Sequence, residues 1–213
     1  MPIIVKSRDE IGLMREAGRI LAETLEIVVS HVRPGVIEKE LDEIARREFK
    51  KRGVVPTFFN YGEPPYPAAI CVSVNDEIVH GIPGDREIAE GDVVSIDIGC
   101  THKGFVADMA VTVGAGTLAP QAQKLIDVTR DALWRGIAAS RGGARIGEIG
   151  AAIQAWVEGE GFSVVREYVG HGVGRQMHED PQIPNYTLDG SLSAHFEHTL
   201  AITDGEAEVL TLP

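Results

Sequence analysis

The chain has 213 residues, 44% of them hydrophobic and 24% charged, which suits one well-buried soluble domain rather than two. Its net charge of -12 argues against a nucleic-acid surface, because phosphate needs an excess of Lys and Arg. No apolar run approaches the length of a membrane span, and two cysteines are too few for a disulfide framework. Cys71 and Cys100 sit among apolar neighbours and read as small buried hydrophobes. The opening MPIIVKSRDE turns charged too early for a secretory signal, so a cytoplasmic location is expected.

A first helix is predicted from Ser7 to about Val32. Ser7 and Glu10 form a capping box, and Ile11, Met14, Leu21, Leu25 and Val28 make its apolar stripe. Pro34-Gly35 stops it. A second helix is predicted from Glu38 to Arg52, with Leu41, Ile44, Ala45 and Phe49 inward and Gly53 as its stop. Strands are predicted at 69–73, 77–80, 93–99 and 105–113. The order then starts again, with helices from Pro120 to about Gly142 and from Arg145 to Glu158. A shift of 108 places Arg33, Gly35, Glu40, Leu41, Ala45, Phe49 and Gly53 on Arg141, Gly143, Glu148, Ile149, Ile153, Val157 and Gly161. Charge, apolar face and terminating glycine all coincide, which points to duplication. The expected architecture is α+β: two halves packed side by side, with helices over an antiparallel sheet.

The sharpest local signal is DVVSIDIGCTHKGFVADMAVTV, residues 92–113. Two apolar, β-branched runs flank a THKG turn. With Thr101 facing Gly104, Asp97 would lie opposite Asp108, their Cβ atoms about 4.5–5.5 Å apart. Carboxylates that close repel, and among apolar residues they are costly to desolvate. Three outcomes are open: a shared proton, bound cations, or a register that differs by a residue. A divalent ion between them relieves the repulsion directly.

In GHGVGRQMHEDP, His171 and His178 lie seven apart among glycines at 170, 172 and 174, which permit close approach of neighbouring groups. His80 precedes a Gly-Ile-Pro-Gly turn. Near the C-terminus, SLSAHFEHTLAIT and AEVLT flank Asp204-Gly205 as a hairpin. Glu197 falls mid-strand among Phe196, Leu200 and Ile202, a poor place for an unpaired carboxylate. Of its neighbours His195 and His198, only one can share its face.

Taken together, ICVSVNDEIVHGIPG, SIDIG, FVADMA, GHGVGRQMHEDPQIPN and DGSLSAHFEHT resemble the consecutive signatures of the type I methionine aminopeptidases, and in the same order. MPIIVKSRDEIGLMREAGRIL is similar to that family's opening helix. The resemblance implies the pita-bread fold, with residues 1–213 as one metallopeptidase domain and halves of about 1–115 and 116–213. It implies hydrolysis of the initiator methionine from nascent polypeptides, close to the ribosome, by a monomer that binds neither nucleic acid nor membrane. It also implies two divalent metal ions (Co²⁺, Mn²⁺, Fe²⁺ or Zn²⁺) on Asp97, Asp108, His171 and Glu197. His80 and His178 match the family's substrate-contacting catalytic histidines. Tyr61, Tyr66, Cys71 and Met177 match its methionine pocket.

One departure bears on that assignment. After Pro184-Asn185 the family continues through a glycine-rich link into a central strand of the type GMVFTIEP, whose glutamate is a metal ligand, and then a pocket tryptophan. Here Tyr186 runs straight into Thr187. The resemblance then implies a missing strand, an ion site short of one carboxylate, reduced activity, and only one ion well held. Neither Glu179, Glu206 nor Glu208 offers a substitute. Two other readings stay open: a pita-bread binding protein with an impaired site, and an X-Pro-specific hydrolase of the same fold.

Overall fold

Ser7 accepts a hydrogen bond from the Glu10 backbone while the Glu10 carboxylate accepts one from Ser7, and this capping box opens the first helix. The computed structural model describes residues 3–185 and 192–213. In chain order its elements are α1 (Arg8–Val29), α2 (Glu38–Arg52), β1 (Val55–Pro56), β2 (Ile70–Val74), β3 (Val93–His102), β4 (Phe105–Gly114), α3 (Pro120–Ala139), α4 (Ile146–Gly159), β5 (Val169–Gly172), β6 (Glu179–Pro184), β7 (Leu200–Ala201) and β8 (Glu208–Val209).

β3 is the spine of the main sheet. β4 pairs along one of its edges, while β2 and β1 share the other, all antiparallel. The two faces of β3 and β4 divide by period two. Val94, Ile96, Ile98, Ala107 and Met109 face α1 and α2, where Leu21, Val28, Leu41 and Phe49 complete a continuous apolar core. Full burial of one such Leu, Ile or Phe side chain stabilises by about 1.5–3 kcal/mol. The other face presents Ser95, Asp97, Gly99, Asp108, Ala110 and Thr112, and this is the face that carries the chemistry.

Both halves begin with a helix pair, and the glycines matched by the 108-residue shift share left-handed conformations. Gly35 has φ +86° and Gly143 +83°; Gly53 has +68° and Gly161 +84°. These are conformations that a Cβ disfavours. The halves are not equally filled. A cavity of about 340 Å³ opens beneath α3 and α4, lined by Leu125, Leu133, Ile149 and Ile153, and runs to His171 and Glu197. The segment on which the missing strand is expected, after Tyr186, lies outside the described residues.

Several expectations shift. The β3–β4 hairpin turns on Lys103 and Gly104 (φ +49° and +80°), with His102 facing Phe105. A two-residue loop with both φ positive suits the strand twist, and it displaces the expected register, so that Asp97 faces Ala110 and Asp108 faces Gly99. Residues 77–80 form no strand: Val72 donates instead to the Gly81 carbonyl (2.9 Å), and Asn75 turns the chain at φ +62°. The first helix ends at Val29, short of Val32. The C-terminal hairpin keeps its expected turn but only two residue pairs, Leu200 with Val209 and Ala201 with Glu208.

Candidate metal centre

Glu197 reaches the site through a single bridge. Its backbone exchanges hydrogen bonds with Ala110 on the free edge of β4 (3.0 and 3.2 Å). On either side a threonine hydroxyl replaces the ladder. Thr199 Oγ1 accepts from the Asp108 backbone N–H (3.1 Å) and donates to the Asp108 carbonyl (2.8 Å). Thr112 Oγ1 does the same for the His195 backbone, at 2.7 and 2.9 Å. The result is a lattice of cross-strand rows. Cys71, Asp97, Ala110 and Glu197 form one; Gly99 and Asp108, with Thr199, form the next. These rows lie two residues apart along β3 and so share a face, and three carboxylates from β3, β4 and the C-terminal segment look the same way. Ala110, between Asp97 and Glu197 in their row, contributes only a methyl group.

His171 arrives from β5, at a point where the pairing with β6 shifts register between His171 and Gly172. Such a bulge re-aims a side chain. The glycines around it are close to backbone or side-chain atoms, as expected: a Cβ on Gly172 would lie 2.4 Å from the Asp180 carbonyl, and one on Gly174 2.4 Å from Lys6. Glu179 folds this loop, accepting from the Arg175 and Gln176 backbone N–H groups (2.9 and 3.2 Å) and pairing with Lys6. It is therefore committed elsewhere, as is Glu208, which pairs with Arg15 (2.5 Å). Glu206 is exposed.

One donor atom each from Asp108, His171 and Glu197 lies within 4.8 Å of the other two. His171 Nε2 stands 3.7 Å from Asp108 Oδ2. His171 Nδ1 is 2.9 Å from the Gly172 carbonyl, which can only accept, so Nδ1 carries a proton and Nε2 is the ring atom turned to the acids. Asp97 and Asp108 are buried, and Oδ1 of each has no hydrogen-bond partner among the described residues. Burial pushes the Asp97 carboxyl up to about 7, helped by Glu197 and opposed by His195. Burial, then the charges of Glu197 and Asp97, push Asp108 well up. Burial also acts on Glu197, yet the hydrogen bond and charge of His195 and the charge of His171 hold it below the usual carboxylate range. Orphaned buried oxygens facing an imidazole nitrogen are a donor set that fits a divalent cation.

The remaining predicted residues surround this group. His178 lies beside His171, ring centroids 4.3 Å apart, and its Nδ1 is 2.7 Å from the Tyr61 hydroxyl. Burial, then His171, lower its pKa. His80 is held at φ +60°, and the following Gly81 is pinned to β2: its N–H donates to Ser73 Oγ (3.1 Å) and its carbonyl accepts from the Tyr66 hydroxyl (2.9 Å). Burial and then His195 lower the His80 pKa. Cys71 and Met177 pack with Phe58 and Val106 against Tyr66 in one apolar cluster beside Asp97. Tyr61 stands apart from that cluster, exposed, with its hydroxyl spent on His178. Residue typing missed Phe58 and Val106, which carry no chemical signature. It also gave no role to His195, although the alternation noted above, in which only one neighbouring histidine can share the face of Glu197, was the available signal. Its Nε2 is 3.3 Å from Glu197 Oε2, while His198 turns to Thr211 (2.9 Å).

The family model for metallopeptidase family M24 matches residues 12–202. Methionine aminopeptidase 1 of Bacillus subtilis is 43% identical, over 98% of this chain and 99% of that protein. The chain belongs to the methionine aminopeptidases of metallopeptidase family M24. It shares the family's use of divalent metal and its hydrolase chemistry. The Aquifex aeolicus methionine aminopeptidase is 40% identical over 99% of each chain. The solved structure of the Thermotoga maritima methionine aminopeptidase superposes with TM-score 0.93 at 37% identity, over 99% of both chains. That of Rickettsia prowazekii gives 0.94 at 33%, over 99% of this chain and 100% of that one. The Pyrococcus furiosus prolidase, at 21% identity and TM-score 0.82, shares the fold. These likenesses bear out the pita-bread architecture and the methionine aminopeptidase family over the X-Pro reading. The alignment with the B. subtilis relative spans 247 positions against 213 residues here, so about three dozen of its positions have no counterpart in this methionine aminopeptidase. Among the described residues no helix is long and apolar enough to cross a membrane.

Proposed function

We propose that this chain removes the initiator methionine from new polypeptides, with Asp97, Asp108, His171 and Glu197 holding two divalent ions. The observation that carries it is the convergence of Asp108, His171 and Glu197, three donors from distant segments, within 4.8 Å. Asp97, with a buried orphan oxygen on the same sheet face, supports a second ion. Such ions acidify bound water and polarise the scissile carbonyl.

The protein's own groups do the rest. Asp108 and Glu197 would be shared by both ions, with His171 serving one and Asp97 the other. Burial, then His171, disfavours the charged form of His178. Tyr61, donating to Nδ1, leaves its proton on Nε2, where it hydrogen-bonds the oxygen on which charge develops. His80, set by the Gly81 turn, holds the scissile amide from the other side. The methionine side chain is received beside Tyr66, Cys71 and Met177, with Phe58 and Val106 as the floor. We read the chain as one metallopeptidase domain, with halves of about 1–115 and 116–213, acting as a cytoplasmic monomer on polypeptides leaving the ribosome. On the His171 side the family's further glutamate is missing, so an ion there would have only Asp108, His171 and Glu197 and would be held more weakly.

Release of methionine from Met-Ala-Ser with added Co²⁺, Mn²⁺, Fe²⁺ or Zn²⁺ tests this reading. Turnover is expected to need added metal, to stop with EDTA and to be absent on X-Pro dipeptides. Failure to release methionine with any of the four metals overturns it.

A further inference from the structure

His195 faces Glu197, and the mechanism above gives it no role. Its place is built, not incidental. Thr112 Oγ1 both accepts from the His195 N–H (2.7 Å) and donates to its carbonyl (2.9 Å), and the same hydroxyl contacts Ser95 Oγ at 2.8 Å. Three buried or half-buried residues thus lock the backbone of position 195 to the middle of the sheet. Two residues on, Glu197 is locked in turn by its bridge to Ala110. Alternation along the extended segment then sends both side chains to the chemistry-bearing face.

There His195 Nε2 lies 3.3 Å from Glu197 Oε2. Two donors held about 2.1 Å from one ion at roughly a right angle or slightly wider stand about 3.0–3.4 Å apart. The imidazole and the carboxylate therefore already have the spacing of neighbouring ligands. Across Ala110 in the same row is Asp97, buried, with Oδ1 unpartnered among the described residues. On that side of Glu197 lie Asp97 and the His195 nitrogen, a looser set than the one on the other side. The other side holds Asp108, His171 and Glu197, the donors that gather within 4.8 Å of one another. Glu197 is common to both.

We propose that His195 coordinates, through Nε2, the ion on the Asp97 side, so that each of the two ions in this chain has one imidazole ligand. The inference rests on the metal-centre reading above and adds to it a donor that would raise the preference for Co²⁺, Fe²⁺ or Zn²⁺ over Mn²⁺, since imidazole suits the former and oxygen donors the latter.

Loss of affinity alone would not separate a ligand from a residue that merely orients Glu197, since outer partners also cost about 10–100-fold. The decisive measurement is proton NMR of the full chain loaded with Co²⁺, in which a coordinated imidazole gives a strongly shifted, exchangeable N–H resonance. Two such resonances are expected at two equivalents of metal, one disappearing in His195→Gln and both persisting in His198→Gln, with Co²⁺ affinity on the second site falling about tenfold or more in the former. Circular dichroism melts confirm that His195→Gln is folded, and a His195→Asn variant gives an independent reading if it is not. One shifted resonance, unchanged by His195→Gln, overturns this inference and leaves the metal centre standing. None at all, at saturating Co²⁺, overturns both.

Discussion

Asp97 and Asp108 are diagonal neighbours on one face of the β3–β4 hairpin, Asp97 facing Ala110 and Asp108 facing Gly99. The offset moves the two carboxylates from the directly opposed spacing of about 5 Å towards about 7–8 Å between backbones. On the metal-centre proposal, that spacing is room for a cation with its ligands on both sides.

The diagonal pair predicts a pH dependence. Burial first, with Glu197 adding to it against His195, lifts Asp97 from its ordinary 3.8 to about 7 in the folded chain, so between those values the folded state binds more protons than the unfolded one. Stability from this group is complete below about pH 4 and declines as pH rises to about 7. EDTA-treated protein should show a melting midpoint that falls over this window, and added Co²⁺ should raise the midpoint more at pH 8 than at pH 5, because the metal needs the ionised acid. An Asp97→Asn chain should lose this component; an unaltered slope in that variant would refute the assignment.

Glu197→Gln should weaken Co²⁺ binding by about 100-fold or more, as expected when a shared ligand is lost rather than an outer partner. Methionine release should fall with it. Glu206→Gln, on the exposed turn, should change neither. Calorimetric titration of both variants reads the difference.

His178→Ala should lower kcat by about 10²–10³, the usual worth of one oxyanion donor, with metal stoichiometry unchanged. Tyr61→Phe removes only the hydroxyl that sets the ring, 2.7 Å from Nδ1, and should cost roughly tenfold, about one hydrogen bond. Equal losses in the two variants would contradict this division of roles.

Gly81→Ala should destabilise the chain by about 1–3 kcal/mol, because its Cβ would lie 2.1 Å from the Val72 carbonyl oxygen, and backbone must move to admit it. The displaced turn carries His80, so kcat should drop as well. Urea unfolding and steady-state kinetics on the same preparation test both halves of the expectation.

Much of the framework was legible in residue order, because its signals are local. The capping box at Ser7, the stop at Gly53 and the turn at Asp204-Gly205 each depend on a few neighbouring residues, and each formed where expected. The misreadings arose where a distant partner outcompeted a local pattern. Residues 77–80 carry the β-branched pair Ile78 and Val79, yet Val72 spends its N–H on Gly81 and Ile78 and Val79 line the cavity instead. The expected THKG turn lost its register to the backbone twist that places φ +49° at Lys103 and +80° at Gly104.

Residue order alone determined which side chains are available for chemistry: the acids at 97, 108 and 197, the histidines at 80, 171 and 178, and the alternation that aims each strand's polar set at one face. Only the tertiary structure decided that Glu197 joins the free edge of β4, that Asp97 and Asp108 stand diagonally, and that His195 rather than His198 faces Glu197. The reason is that strand neighbours are chosen by backbone hydrogen bonds between segments far apart in the chain, here Ala110 with Glu197 and Thr112 with His195. No local pattern of residues encodes which two edges will meet.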